Sequence, residues 1–204
     1  MLQENCYVVS DDTKECVIID CGVYYEDERN ALVDYIRNNQ LTPKHLLATH
    51  GHLDHNFGND TIYQEFGLQP SVSSSDEHLM MTLDKQAEKY YGIRIDAPAT
   101  PIGHFFEENE SIPFGTHTLK VIETPGHSRG SVCFYCEDEH LLFAGDTLFK
   151  GTVGRTDLEG GSMMQIIQSL RHLAQLPDET VVYSGHGANT TIGNELAHNP
   201  YMER

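Results

Sequence analysis

The chain reads Thr49-His50-Gly51-His52-Leu53-Asp54-His55 directly after the apolar residues Leu46-Leu47-Ala48. A short apolar run that ends in glycine and polar residues is typical of a buried strand leading into a loop. Imidazole and carboxylate groups are ligands of zinc and related divalent metals, and the His-x-His spacing lets one loop offer two nitrogens to one ion. The alternative is a polar loop with incidental histidines, since the chain holds 12 of them. Four ligand-type side chains in one short loop favour a metal-binding loop.

The overall composition is typical of a globular protein and disfavours two classes of binding partner. The chain has 39% hydrophobic residues, 13 basic and 31 acidic side chains, and a net charge of −18. Such acidity disfavours nucleic acid, which requires a basic footprint, and electrostatic docking on an anionic membrane. No apolar run approaches the roughly 18 residues of a membrane helix, and residues 1–5 lack the features of a secretory signal. We expect a cytoplasmic protein with a small-molecule substrate and no nucleic-acid or membrane partner; the oligomeric state is not predicted.

The five cysteines do not form an obvious framework. Cys133-Phe134-Tyr135-Cys136 spells C-x-x-C, but it lies in a strand-like run, where residues three apart face opposite sides of a sheet. We therefore expect buried thiols in a reducing compartment rather than a redox motif.

The apolar periodicity predicts alternating strands and helices. Two β-rich runs at 6–9 and 16–19 predict a hairpin, and a strand is expected to begin near His45. Helices are predicted over residues 26–39, 56–66, 76–91, 162–174 and 192–197, and further strands over 70–72, 119–122, 131–136, 141–144 and 180–183. Residues 93–103 and 150–161 are expected to be irregular, the first at the rim of a site. This pattern predicts an α/β (α+β) fold in a single domain over residues 1–204.

Ligand-type residues follow three more of the predicted strands. His127 stands at a Pro-Gly turn, Asp146 follows four apolar residues, and His186 is flanked by glycines. Because strand ends in an α/β scaffold can meet at one edge, we expect these side chains to join the loop at residues 49–55. Seven ligands suit two metal ions with one bridging carboxylate. The histidines at positions 78, 104, 117, 140 and 172 have no ligand-like spacing and are expected to be structural or exposed.

Five motifs occur in order along the chain: THGHLDH at 49–55, TPGHSRGS at 124–131, FAGDTLF at 143–149, GRTDLEGG at 154–161 and SGHG at 184–187. The series resembles the metallo-β-lactamase superfamily and, within it, the glyoxalase II (hydroxyacylglutathione hydrolase) branch. The resemblance implies a four-layer αββα sandwich. It also implies that His50, His52 and His127 bind one metal, that Asp54, His55 and His186 bind the other, and that Asp146 bridges both.

The chain departs from the family pattern at several points. It resembles the short relatives, because it ends at residue 204 without the C-terminal helical domain of typical glyoxalase II, and its tail over residues 185–200 reads GHGxxTTIGxE…NP. Arg129 and Ser184 replace prolines common in the family. The strand that usually precedes Asn5-Cys6-Tyr7 is not visible, so residues before Met1 are a possibility we keep open. The bridging aspartate, absent from true β-lactamases of the superfamily, implies that antibiotic hydrolysis is not the activity.

The resemblance implies a dinuclear hydrolase of thioesters such as S-2-hydroxyacylglutathione, acting by attack of a metal-bridging hydroxide. Asp54 is the expected catalytic residue, because it can orient or deprotonate the nucleophile. Arg155 occupies the place of a substrate-binding basic residue in glyoxalase II, and the alternative for it is a salt bridge with Asp157 or Glu159. Zinc is the expected metal, although iron and manganese also accept this donor set.

Two other functions stay open. The first is a persulfide dioxygenase of the same superfamily, with one iron held by His50, His127 and Asp146. The run at residues 146–149 and the tail resemble the hydrolases more closely, which disfavours this function. The second is a metal-binding module without catalysis, which is disfavoured because a structural zinc needs only four ligands and no open face.

Overall fold

The computed structural model describes residues 3–95, 99–107 and 109–203. The chain packs as two compact units: one comprises the residues up to Phe106 with Phe114–Thr116, and the other comprises Glu107–Pro113 and the residues from His117 onward. The single domain expected over residues 1–204 stays a prediction.

The first unit contains a five-stranded sheet. Its strands, in spatial order, are β1 (Tyr7–Ser10), β2 (Glu15–Ile19), β3 (Thr42–Leu47), β4 (Pro70–Val72) and β5 (His104–Phe105). β1 and β2 form the predicted antiparallel hairpin, and the other pairs are parallel. β3 begins before the predicted start at His45. Because Cys16 pairs with Pro43 and Val17 with His45, Lys44 is an extra residue, and this bulge accommodates the proline.

Two full helices pack in this unit, α1 (Glu26–Asn38) and α2 (Asn59–Phe66). The Glu28 carboxylate accepts the N–H groups of Tyr24 and Tyr25 at 3.0 Å each, which caps the start of α1. Gly67 closes α2 with a φ of 72°, as predicted. The core between these elements and the sheet is apolar and fully buried, and it includes Ile18, Ile36, Leu46 and Ile62.

The helix predicted over residues 76–91 is wrong as a continuous element. A 3₁₀ turn over Ser74–Asp76 is followed by α3 (Glu77–Met80), α4 (Leu83–Gln86) and a π turn over Ala87–Tyr91. Two side chains bind carbonyl groups that a continuous helix would use: the Thr82 hydroxyl donates to His78 O, and Gln86 Nε2 donates to Leu79 O. This competition with the backbone explains the break.

The second unit is organised on a six-stranded sheet with the spatial order β13-β12-β9-β8-β7-β6. The strands of this sheet are β6 (Ser111–Phe114), β7 (His117–Glu123), β8 (Val132–Cys136), β9 (Leu141–Gly145), β12 (Val181–Ser184) and β13 (Thr190–Thr191). β9 and β12 run parallel, whereas β7, β8 and β9 are antiparallel neighbours. The carboxyl ends of β9 and β12 therefore lie at the same edge, and Asp146 and His186 follow them.

Two helices and a small hairpin complete this unit. The helices are α5 (Met163–Leu173) and α6 (Ile192–His198). The Ser162 hydroxyl accepts the Gln165 N–H at the start of α5, as its capping spacing predicts. Residues 150–161 are less irregular than expected, because β10 (Leu148–Phe149) and β11 (Thr152–Val153) form an antiparallel hairpin. Gly151 lies in its turn with a φ of 73°.

The mixed α/β class predicted from the sequence is confirmed. The five cysteines are free thiols, and all but Cys6 are buried. Among the described residues, no helix is both long and apolar enough to cross a membrane.

Candidate metal centre

The histidine-rich loop follows β3 in the first unit and is almost entirely buried. His50, His52 and His55 are 1%, 8% and 0% exposed. The ring centroid of His50 lies 4.8 Å from that of His52 and 4.3 Å from that of His55. The structure therefore brings three of the predicted ligands of this unit together.

Asp20, at the end of β2, holds this loop with its buried carboxylate. Oδ1 accepts the Thr49 N–H and Oδ2 accepts the Thr49 hydroxyl, both at 2.7 Å. Oδ2 also lies 3.0 Å from Nδ1 of His55. The Asp20 backbone has a φ of 52°, which is uncommon outside glycine and is stabilised here by these bonds.

These contacts assign the proton position on two imidazoles. His55 donates Nδ1–H to the Asp20 carboxylate, so its Nε2 carries the lone pair. The Thr49 hydroxyl donates its proton to Asp20 and lies 3.0 Å from Nδ1 of His50, so it accepts Nδ1–H from that ring. Both rings thereby present an unprotonated Nε2, the form required of a metal ligand.

Three further side chains bind the backbone of the loop. Asp76 accepts the Gly51 N–H at 2.9 Å. Gln86 accepts the Leu53 N–H at 3.0 Å and donates to Gly51 O at 3.2 Å. Asn56 donates to the carbonyl oxygens of His50 and His52. Sequence reasoning missed these contacts, because each of these side chains lay in an ordinary predicted helix.

Asp54 lies at the exposed side of the same loop. Its side chain is 15% exposed, and Oδ2 lies 3.9 Å from Nε2 of His55. It lines a cavity of about 180 Å³ together with Glu4, Cys6 and Phe57.

Glu4 is a further acidic group beside the loop, and the sequence analysis did not identify it. Its side chain is 5% exposed, and its Oε1 lies 3.9 Å from Nδ1 of His55. One ligand-type atom each from Glu4, Asp20 and His55 lies within 4.8 Å of the others. Burial raises the pKa of Glu4 to about 10, the neighbouring carboxylates of Asp20 and Asp54 add to the rise, and His55 opposes it.

The second unit brings together the other three predicted ligands. His127 is 3% exposed and lies at the Pro125-Gly126 turn. Its Nε2 lies 3.5 Å from Oδ2 of Asp146, and Nε2 of His186 lies 3.8 Å from the same oxygen. Two ligands of one tetrahedral zinc, each about 2.0–2.2 Å from the metal, are separated by roughly 3.3–3.6 Å. The His127 distance lies within this range and the His186 distance is slightly longer, so both imidazoles are close enough to Asp146 for a metal ion to be held between each imidazole and that carboxylate.

The tautomer of His127 is also set by a backbone group. Its Nδ1 lies 2.8 Å from Arg155 O and donates to it. The approach depends on Gly154, because a Cβ there would lie 1.8 Å from Asp146 O and 3.2 Å from Nδ1 of His127. The side-chain-free position lets the chain after β11 close against Asp146.

The Arg155 side chain forms the salt bridge that was its alternative interpretation. Nε and Nη2 donate to the two carboxylate oxygens of Asp157 at 2.7 Å each. Both side chains are exposed, at 61% and 67%. This hydrogen-bonded pairing lowers the pKa of Asp157 to about 2. A substrate-binding role for Arg155 stays a prediction.

The donor chemistry of both units fits divalent metals. Imidazoles with the proton on Nδ1, together with partly exposed carboxylates, are the set that zinc, iron and manganese accept. The histidines not predicted as ligands lie elsewhere: His78, His104 and His172 are exposed, His117 lies 3.1 Å from Glu139, and His140 lies 3.4 Å from the Tyr135 hydroxyl.

Comparison with known proteins places this geometry in a family. The metallo-beta-lactamase superfamily matches residues 1–186. A Haemophilus influenzae protein named hydroxyacylglutathione hydrolase GloC is 36% identical, with 98% of this chain and 93% of that protein covered. A Bacillus subtilis protein named probable metallo-hydrolase YqgX is 34% identical, with 98% and 93% covered.

Similar solved structures support the same family assignment. The BLEG-1 B3 metallo-beta-lactamase is 37% identical with a TM-score of 0.89, and 98% of this chain and 95% of that chain are covered. A di-iron-bound form of TTHA1623 is 35% identical with a TM-score of 0.87 and coverage of 98% and 96%. ETHE1 from Myxococcus xanthus is 25% identical with a TM-score of 0.76 and coverage of 98% and 79%. The fold class predicted from the motifs is confirmed, and the chain belongs to the metallo-beta-lactamase superfamily.

Proposed function

We propose that this protein is a dinuclear metallohydrolase of thioesters such as S-2-hydroxyacylglutathione. The observation that carries the proposal is the position of three oxygens: Thr49 Oγ1, Asp20 Oδ2 and Arg155 O lie within hydrogen-bond distance of Nδ1 of His50, His55 and His127 respectively. Three histidines whose Nδ1 atoms are hydrogen-bonded to backbone or side-chain oxygens are typical of metal ligands rather than of core histidines. The hydroxyacylglutathione hydrolase relative supports the substrate class.

The proposed ligands follow the motifs. His50, His52 and His127 would hold the first ion, Asp54, His55 and His186 would hold the second, and Asp146 would be a ligand of both. The family membership and the spacings around Oδ2 of Asp146 support this assignment. Zinc is the proposed metal, and the di-iron form of TTHA1623 makes iron the first alternative to test.

Divalent ions held by these residues would supply hydroxide at neutral pH and would polarise the thioester carbonyl. The chain's own contribution is positioning. Asp54, the partly exposed carboxylate of the loop, orients the nucleophile or accepts its proton. A thiolate is a good leaving group, so the hydrolysis needs no dedicated general acid. We propose a cytoplasmic location and a small-molecule substrate, in keeping with the acidic charge of the chain.

Arg155 is proposed to contact the substrate through its side chain. The guanidinium is largely exposed, and its pairing with the equally exposed Asp157 is weak in water, so a substrate carboxylate can exchange with it. Its backbone carbonyl is already used by His127. Arg155 thus combines a fixed main chain with a displaceable side chain.

Elemental analysis on protein purified without added metal, paired with a thioester hydrolysis assay on the same sample, tests the proposal. We expect about two ions per chain and turnover that a chelator abolishes and added metal restores. Asp54→Asn is the matched variant: it keeps the side-chain shape and loses the charge. A chain that holds no metal, or that holds two ions and cleaves no thioester, would contradict the proposal.

The same sample can also be assayed for two alternative activities. The ETHE1 neighbour favours the persulfide dioxygenase considered from the sequence, and one iron per chain with oxygen uptake on glutathione persulfide would select it. The BLEG-1 neighbour favours β-lactam hydrolysis, which the motifs had argued against. Hydrolysis of a chromogenic cephalosporin faster than of any thioester would select that activity.

A further inference from the structure

The β10–β11 hairpin is linked, along the chain or by a hydrogen bond, to residues beside each ligand-type side chain of the second unit. It begins two residues after Asp146 and ends two residues before Arg155, whose carbonyl oxygen binds His127. The hydroxyl of Ser184, two residues before His186, donates to Leu148 O at 2.7 Å. Proline, common at position 184 in the family, cannot make this bond. The position of this hairpin therefore bears on His127, Asp146 and His186 together.

The tip of the hairpin is held by a buried carboxylate of α6. Glu195 is 0% exposed, and its Oε2 accepts the Gly151 N–H at 2.7 Å. Asn199 Nδ2 donates to the same oxygen at 2.9 Å and to Thr152 O at 3.0 Å. The turn of the hairpin is thus bound at two adjacent residues by two side chains from the tail.

The other oxygen of Glu195 is bound within the tail itself. Oε1 accepts the Thr190 hydroxyl and Asn194 Nδ2. The carboxylate therefore accepts four hydrogen bonds, and none of the four partners titrates. A buried charge that is fully hydrogen-bonded is rigid and costly to disturb. The stretch at 190–199, which carries the tail motif TTIGxE…NP, supplies every partner of the carboxylate except the Gly151 N–H; Asn194 is the unspecified residue of that motif.

We infer that Glu195 is a positioning residue of the second unit: it holds the hairpin so that Arg155 O accepts Nδ1–H from His127 and Asp146 faces both histidines. The consequence for metal binding rests on the proposed function, whereas the consequence for His127 does not. Glu195 touches neither ligands nor substrate, so its effect is transmitted through the hairpin.

The decisive variants are Glu195→Ala and Glu195→Gln. Alanine removes both acceptor oxygens and, with them, all four hydrogen bonds. Glutamine keeps one oxygen, which still faces Gly151 when the amide nitrogen lies beside Thr190, whose hydroxyl can also accept. The bond from Asn194 Nδ2 is lost in this arrangement. We expect glutamine to restore most of what alanine loses. Asn199→Ala, which removes the bond to Thr152 O and keeps the carboxylate, provides a second test if Glu195→Ala does not fold.

The first readouts use the full-length metal-free protein. In Glu195→Ala we expect the amides of residues 148–153 to exchange at least tenfold faster, while those of β7 and β8 keep their rates. We also expect the ¹⁵N signals of His127 to move from the Nδ1–H tautomer toward a mixture of tautomers. The third readout is Zn²⁺ affinity by chelator competition, which we expect to weaken roughly 10- to 100-fold.

Two controls separate positioning from simple destabilisation. Glu203→Gln makes the same change as Glu195→Gln on an exposed side chain eight residues further along the chain. Leu119→Val weakens the core of the same unit in β7, away from the hairpin. Neither control should change the His127 tautomer.

Failure of this inference is distinct from failure of the proposed function. An unchanged His127 tautomer in both Glu195→Ala and Asn199→Ala would overturn the inference, as would Zn²⁺ affinities within twofold of a metal-binding wild type. If the wild type binds no metal, the proposed function falls, and the His127 signal alone decides whether Glu195 positions that ring.

Discussion

Oδ2 of Asp20 lies 3.0 Å from Nδ1 of His55, and the same oxygen accepts the hydroxyl proton of Thr49 at 2.7 Å. One buried carboxylate therefore sets the proton of His55 directly and that of His50 through Thr49. Partners of this kind orient metal-binding imidazoles and increase their basicity.

Replacing Asp20 should weaken metal binding more than it weakens the fold. In Asp20→Asn, the amide nitrogen would face the Nδ1–H of His55 or the N–H of Thr49, donor against donor. We expect a roughly 10- to 100-fold loss of Zn²⁺ affinity and a destabilisation of about 1–3 kcal/mol from the buried donor left unpaired. Chelator competition and urea unfolding measure the two effects. Asp12→Asn, on the exposed β1–β2 turn, is the matched control, and equal losses in both variants would contradict the role given to Asp20.

Gly154→Ala should disturb the second unit by steric overlap. The new Cβ would lie 1.8 Å from Asp146 O, so the chain at Arg155 must move away from His127. We expect a destabilisation of about 1–3 kcal/mol together with a lower metal content. Gly67→Ala is the control, because its Cβ has nothing within 4 Å and its cost comes only from a φ of 72°, about 1–2 kcal/mol. Normal metal content in Gly154→Ala would show that the glycine is not needed there.

Glu195 should make part of the stability depend on acid pH. Burial acts to raise its pKa, but its four hydrogen bonds outweigh burial and lower the pKa below the ordinary value for a glutamate. An acid with a lowered native pKa contributes stability above its unfolded pKa and loses it as the pH falls through the native value. The stability gap between wild type and Glu195→Gln should thus be full at pH 7 and shrink below about pH 4.5. Urea unfolding of both proteins between pH 7 and pH 3.5 checks this, and a gap that widens in acid would refute it.

Arg155→Ala should separate substrate binding from metal binding. The variant keeps the backbone carbonyl that binds His127, so we expect an unchanged metal content. Loss of the exposed guanidinium should raise KM for a carboxylate-bearing thioester several-fold and leave kcat nearly constant, the pattern of lost uniform binding. Asp157→Asn, which removes the negative charge of one partner of the guanidinium, should not raise KM. An unchanged KM in Arg155→Ala would restrict this residue to its salt bridge.

Local patterns predicted much of the fold because they depend on near neighbours. The capping serine at Ser162 and the closing glycine at Gly67 are confirmed, since both act within one helical turn. The continuous helix predicted over residues 76–91 was wrong because its breaks depend on side-chain bonds that local periodicity does not show. Periodicity does not reveal that Gln86 bonds to Leu79 O and to the loop at Gly51 and Leu53.

The ligand-type residues of the candidate centre could also be predicted from the sequence. Histidine and aspartate side chains after apolar strands carry the metal signature in their own residue types and spacing, and the family match agrees with it. Several supporting groups could not be predicted: Asn56, Asp76 and Gln86 lie in ordinary predicted helices, and Glu195 lies in the tail motif without a distinguishing feature of its own. A buried glutamate in a helix has no local feature that distinguishes it from an exposed one.

Residue types and spacing were thus sufficient for the fold class, the family and the ligand-type side chains. Tertiary structure alone decided which oxygen holds each imidazole proton and what anchors the hairpin. The physical reason is distance along the chain: Asp20 and Thr49 are 29 residues apart, and Glu195 and Gly151 are 44 apart. Hydrogen bonds between such positions form only after the strands and helices have packed, and no local sequence pattern encodes them.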